Sequence, residues 1–165
     1  MNEYIKSKSL PHLIAILLFI VISVVYFSPV LEGKVLIGHD TESWLGMSKE
    51  VRDYYDNTGD AALWTNRMFG GMPTYQIAFD RPYNVLAYFF KAIGVTPRVV
   101  YTLFLYLIGF YILLLTFKVN PWLSIIGAIG FALGSYNFII LAVGHNTKAM
   151  VIAFMAPLIG SVIMS

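Results

Sequence analysis

The chain has 165 residues, of which 58% are hydrophobic, 16% aromatic and only 12% charged, with a net charge of +2 and a mean hydropathy of +0.72. A charged content about half that of an average soluble domain excludes an ordinary globular fold and implies a polytopic membrane protein. There is no cysteine, which excludes disulfides, thiol catalysis and Cys-based zinc sites, and the scattered, acid-matched cations give no nucleic-acid footprint.

The first apolar run, residues 13–31, carries no charge before its end and is long enough to span a bilayer. Lys6 and Lys8 precede it as they would in a signal peptide. No small-residue cleavage site follows Tyr26-Phe27-Ser28-Pro29, and more apolar runs come later, so it reads as an uncleaved anchor. A water-compatible stretch, residues 32–97, comes next and holds eight of the nine acids. Within it Trp44, Met47, Val51 and Tyr54 recur at spacings of three and four, with Lys49, Glu50, Arg52 and Asp53 between them. That pattern predicts one amphipathic helix lying on the membrane surface or on the span bundle. Residues 82–93, rich in Tyr83, Leu86, Tyr88, Phe89 and Phe90, predict a second at headgroup level. Gly70-Gly71 before Met72-Pro73 predicts a tight turn between them.

Runs at 99–117, 121–142 and 149–165 complete four predicted spans. Asn120-Pro121 turns the chain between the second and third. Gly127, Gly130 and Gly134 predict a packing seam on the third, and Gly134-Ser135-Tyr136-Asn137 is a candidate break in it, before a short re-entrant or surface segment. The fourth run reaches only about 25 Å, against a hydrocarbon core of roughly 30 Å, and stops without a polar flank. The chain is therefore expected to be the N-terminal part of one longer integral membrane domain, inactive by itself. Lys6, Lys8 and Lys118 fall on one side of four alternating spans and Lys148 on the other. The positive-inside rule then puts the N-terminus in the cytoplasm and both the 32–97 loop and His145 outside.

The chemistry-bearing candidates cluster on that outer side. Asp40 and Glu42, in Gly38-His39-Asp40-Thr41-Glu42, follow closely on the first span, where the head group of a lipid-linked substrate lies. A carboxylate there can act as general base on an acceptor hydroxyl, or the pair can help hold a divalent cation, Mg²⁺ or Mn²⁺. The competing reading makes Asp40 the N-cap of the helix carrying Trp44 and Val51, with Glu42 favoured in its first turn by the macrodipole. Arg67 is either a bidentate phosphate clamp or a solvated loop arginine. His145, Asn146 and Lys148 either bind a pyrophosphate or sugar, or merely flank and cap the fourth helix. One imidazole, His39, beside two carboxylates is not a metal signature, and His12 reads as an interfacial flank. No GxGxxG, Walker, HExxH or Ser-His-Asp pattern is present. Ser23, Ser124 and Asn137 are the most polar residues within the spans, which favours chemistry at the membrane surface over a transport pathway.

Four blocks, spread over nearly the whole chain, resemble the YfhO-like bacterial membrane proteins: Gly38-His39-Asp40, Leu63-Trp64-Thr65-Asn66-Arg67-Met68-Phe69-Gly70-Gly71-Met72-Pro73-Thr74-Tyr75-Gln76, Asn120-Pro121-Trp122 and Gly144-His145-Asn146-Thr147-Lys148. That family resembles the GT-C glycosyltransferases, integral membrane enzymes that move a sugar from a polyprenyl-phosphate donor to an acceptor outside the cytoplasmic membrane. The expected fold is an all-α, polytopic transmembrane helix bundle with a large extracytoplasmic loop bearing amphipathic surface helices, resembling the N-terminal part of a GT-C enzyme. The resemblance implies Asp40 as the catalytic acidic residue, with Glu42, Arg67, His145, Asn146 and Lys148 around the substrate. It implies a polyprenyl-phosphate sugar donor, membrane lipid and an envelope glycan or lipid acceptor as partners, and a multi-pass place in the bacterial inner membrane. Asp40-Thr41-Glu42 is a variant of the family's paired-acid motif, which leaves the metal open, and family members are longer, with more spans. The alternative function is that of a non-enzymatic membrane transporter or envelope-assembly protein.

The topology is directly testable because the chain has no cysteine. Cysteines introduced singly at Asn57 and Thr147 are both expected to react with a membrane-impermeant maleimide on intact cells. Labelling of only one would overturn the four-span alternation.

Overall fold

The structure is a computed structural model that describes residues 2–77, 88 and 97–165. The chain runs through α1 (Asn2–Tyr26), the single turn α2 (Ser28–Leu31), α3 (His39–Met47), α4 (Lys49–Thr58), β1 (Trp64–Thr65), β2 (Met72–Pro73) and a 3-10 turn (Thr74–Gln76). It continues with α5 (Arg98–Thr116), α6 (Pro121–Ala132), α7 (Ser135–Val143) and α8 (Asn146–Met164). Among the described residues three helices, α1, α5 and α8, are long and apolar enough to cross a membrane, or four spans result if the bent pair α6–α7 is one. The amphipathic helix expected over 82–93 lies outside the described residues.

Helix α5 is the centre of the bundle, and Leu103, Tyr106 and Leu107 on it are fully buried. It runs antiparallel to α1, where His12 Nδ1 meets the Tyr111 hydroxyl at 2.7 Å and Phe19 packs edge-on against the Tyr111 ring at 5.6 Å. His12, expected as an interfacial flank, is thus an internal partner of α5. Helix α6 is also antiparallel to α5, with Phe131 stacked on Phe110 at 4.3 Å and Gly127 against Leu114. Helix α8 runs parallel to α5: Thr102 meets Met150 near the start of both helices and Thr116 meets Gly160 near their ends.

The tightest packing uses small residues, since lipid offers no hydrophobic drive between helices and close backbone approach must supply the contact energy. Ala149, Ala153, Ala156 and Gly160 are buried along α8, and a Cβ on Gly109 of α5 would lie 2.9 Å from the Ala153 carbonyl oxygen. The predicted glycine seam on the third span is only partly realised. Gly127 contacts α5, but a Cβ on Gly130 would meet nothing within 4 Å. The buried face of α6 is Ser124, Ile125, Ala128 and Ala132, and Gly130, two residues from Ala128, points to the other side of the helix.

The expected break at Gly134 to Asn137 is present. The chain bends by 44° between α6 and α7, and the Asn137 amide donates to the Phe131 carbonyl at 2.8 Å. The Gly134 amide donates to the same carbonyl at 3.2 Å, so the side chain and this turn together replace the helical donor that the break removes. Ser23 and Ser124 likewise donate to carbonyls one turn back, Phe19 at 2.8 Å and Asn120 at 3.1 Å. Tyr106 is the exception, its hydroxyl buried with no partner among the described residues.

Two span boundaries differ from expectation. The first span ends at Tyr26 rather than near 31, because Ser28-Pro29 starts a separate turn. The fourth begins at Asn146 rather than 149, directly after the left-handed Gly144 that ends α7. Its 19 residues therefore cover about 28 Å, so the span is not short.

The single amphipathic helix predicted around Trp44 and Val51 is two helices, α3 and α4, meeting at the fully buried Ser48. Val51 is buried, whereas Trp44 stays exposed. The Trp44 indole N–H donates to the Ile77 carbonyl at 2.5 Å, and the Arg52 guanidinium lies over the indole ring at 5.4 Å. The predicted glycine turn is present: Gly70 and Gly71 have φ of +76° and +122° and connect an antiparallel pair in which Trp64 faces Pro73. A Cβ on Gly71 would lie 2.9 Å from the Trp64 indole. Thr65 donates to the Glu50 carboxylate, which ties this hairpin to α4.

Gly109→Ala is expected to destabilise the bundle by about 1–3 kcal/mol through overpacking against a backbone oxygen. Gly130→Ala should be neutral or gain up to about 1 kcal/mol from helix propensity. Thermal melting in detergent separates the two, and equal melting would refute close packing of α5 on α8.

Candidate functional site

The site lies at the end of the bundle where α1 finishes and where α5 and α8 begin. Its geometry starts with two glycines. A Cβ on Gly38 would sit 2.7 Å from Gly144 Cα and 2.8 Å from the Val143 carbonyl oxygen. Gly144 in turn has φ +92°, and a Cβ on it would lie 2.8 Å from Thr41 Oγ1. A side chain at Gly38 would displace backbone, and one at Gly144 would be strained by the positive φ and collide with the Thr41 side chain. The start of α3 is consequently pressed onto the turn between α7 and α8.

That contact brings Asp40 to His145, with Asp40 Oδ2 on His145 Nδ1. The two side chains remain 42% and 43% exposed, so a ligand can reach both. Asp40 is not a helix cap. The N-cap of α3 is Gly38, in extended conformation and with no side-chain cap bond, and Asp40 lies in the first turn beside Glu42.

Asp40 and His145 open onto a cleft of about 670 Å³ whose wall includes Trp44, Arg98, Asn146 and Lys148. The Lys148 ammonium lies over the Tyr136 ring at 5.4 Å. Arg98, Gly38, Gly144 and Asn146 also border an adjoining cleft of about 420 Å³, lined by Lys34 and by apolar Val30, Val99 and Leu141. The first turns of α3, α5 and α8 all contribute to the larger cleft, through Asp40, Arg98 and Asn146. Helix N-termini and the two cations together make it favourable for an anion.

Of the residues expected from sequence, the structure assembles Asp40, His145, Asn146 and Lys148. Glu42 is exposed and does not line the cleft, because residues two apart on a helix face different directions. Arg67 is exposed on the hairpin, also away from the cleft. Arg98 was missed, although a lone cation at the start of the second apolar run was a usable signal. Glu42, expected beside Asp40 at any divalent cation, lies outside the cleft that Asp40 lines, and among the described residues no group of three His, Cys, Asp or Glu side chains is placed to hold a metal ion. The donor set, a carboxylate and an imidazole engaged with each other, does not fit a protein-held metal. Comparison with protein families, curated proteins and solved structures finds no match for this chain.

Gly38→Ala tests the glycine contact. It is expected to speed amide hydrogen exchange at 39–42 and 145–149, whereas Gly46→Ala, with open space around it, should not. Unchanged exchange in Gly38→Ala would mean that the two backbones are not held together.

Proposed function

We propose that this chain is the catalytic N-terminal part of a YfhO-like, GT-C-type membrane glycosyltransferase. It moves a sugar from a polyprenyl-phosphate donor to an envelope glycan or lipid acceptor outside the bacterial cytoplasmic membrane. The observation that carries this reading is the reachable Asp40–His145 pair in a cleft shared with Arg98 and Lys148, at one end of an apolar helix bundle. Such a cleft joins a proton acceptor to an anion-binding wall, and sugar transfer from a phosphate needs both. The acceptor hydroxyl loses its proton at the Asp40–His145 pair and attacks the anomeric carbon. Arg98 and Lys148 then offset the charge that builds on the departing phosphate. By this reading the 32–97 loop is extracytoplasmic and the N-terminus is cytoplasmic.

A transporter would place polar groups along its spans. Ser23, Ser124 and Asn137 instead spend their donors on nearby carbonyls, which favours the transferase.

The test is transfer from a panel of polyprenyl-phosphate hexoses in membranes containing the full-length protein and envelope acceptors. Asp40→Asn is expected to lower transfer by about 10²–10⁴-fold with unchanged expression. Arg98→Ala should lower kcat by weakening stabilisation of the departing phosphate, whereas Glu42→Gln and Arg67→Ala, away from the cleft, should stay near the parent rate. Full activity in Asp40→Asn would sink the proposal.

A further inference from the structure

The contact between Asp40 and His145 has a direction, and it divides the work between the two residues. An ionised carboxylate can only accept hydrogen bonds, so the imidazole nitrogen facing it, Nδ1, carries the proton. In a neutral imidazole the other nitrogen, Nε2, is then a lone-pair acceptor. Among the described residues no other group engages the His145 ring, and His145 lines the larger cleft. Asp40 already has Oδ2 occupied by the imidazole. It sits on α3, whereas His145 sits at the start of α8, between Asn146 and the tight turn at Gly144. The glycine contact therefore acts as a jig: it clamps a carboxylate from one element behind an imidazole from another.

We propose that His145 Nε2 is the group that takes the acceptor's proton, and that Asp40 is a positioning residue that sets the tautomer and stabilises the imidazolium. This rests on the transferase reading above and sharpens it, since sequence reasoning placed the base on Asp40 itself. In the step, the acceptor O–H bond breaks and its proton passes to the Nε2 lone pair. The electron pair left on oxygen forms the bond to the sugar's anomeric carbon. The bond between that carbon and the phosphate oxygen breaks, and its electrons leave on the phosphate. The imidazolium, held against the Asp40 carboxylate, afterwards returns its proton to water. This is the division of labour of a histidine–aspartate pair in acyl transfer, reached here without a serine.

The chain has only three histidines, His12, His39 and His145, so nitrogen-15 NMR of histidine-labelled full-length protein in lipid nanodiscs can resolve each ring. Substitutions at His12 and His39 assign the signals. At a pH where imidazoles are neutral, His145 is expected to show a protonated Nδ1 and a bare Nε2, and Asp40→Asn should abolish that preference. A protonated Nε2 in the parent protein, or a tautomer indifferent to Asp40→Asn, would overturn the assignment without any reference to activity.

The transfer assay supplies the second arm. His145→Gln keeps a hydrogen-bonding partner for Asp40 but cannot take up a proton. It is expected to lose at least as much transfer as Asp40→Asn, about 10²–10⁴-fold, and the double variant should be no worse than His145→Gln alone. If Asp40→Asn abolishes transfer while His145→Gln retains most of it, Asp40 is the base; the transferase reading then survives and this inference fails. If the tautomer result holds but no polyprenyl-phosphate hexose is consumed, the dyad stands and the transferase reading falls.

Discussion

The parallel packing of α5 against the small-residue face of α8 sets the geometry on which everything at the site depends. Gly109 against Ala153, and Thr116 against Gly160, let two helix backbones approach closely along their length. Because the helices run in the same direction, their N-termini emerge side by side. Arg98 and Lys148, far apart in the chain, thereby reach one cleft. An antiparallel pairing of the same two helices would have put these cations at opposite ends of the bundle. The antiparallel placement of α1 then delivers the start of α3 to the same end, so Asp40 needs only a short path to meet His145.

The Asp40–His145 pair does not hold this arrangement together. Both groups are more than two-fifths exposed, and an ion pair at that exposure contributes about 0–1 kcal/mol. The Gly38–Gly144 contact is the stronger constraint, because it is backbone against backbone and no side chain can be accommodated there. The ordering has a functional consequence. The pair can change protonation, or be disrupted by a ligand, without unseating α3 from the bundle. A site held by its own charges would lose its shape whenever those charges changed.

The local features were legible in the sequence. Apolar run length found the three helices long enough to cross a membrane, Gly70-Gly71 announced the left-handed turn of the hairpin, and Gly134 to Asn137 marked the bend between α6 and α7. Each depends on nearest neighbours: how long an apolar run is, or which residues tolerate positive φ. The readings that shifted depended on direction around a helix or on a partner elsewhere. Gly130 turned out to face open space, while Gly127 and Phe131 carry the contact with α5. One amphipathic helix became two, which meet at the buried Ser48. Glu42 was paired with Asp40 by proximity in sequence, yet helical geometry points it elsewhere.

Sequence by itself thus determined that the protein is helical and suited to a membrane, and it singled out Asp40, Glu42, Arg67, His145, Asn146 and Lys148 as candidates. It did so because hydrophobic length and unusual polar islands are written in linear order. Only the tertiary structure decided that Asp40 meets His145, that Arg98 joins them, and that Arg67 and Glu42 stay outside. Those outcomes rest on which way α5, α8 and α3 run and on two glycines whose backbones touch. No local pattern encodes a contact whose two halves lie in separate elements and become neighbours only when the bundle is packed.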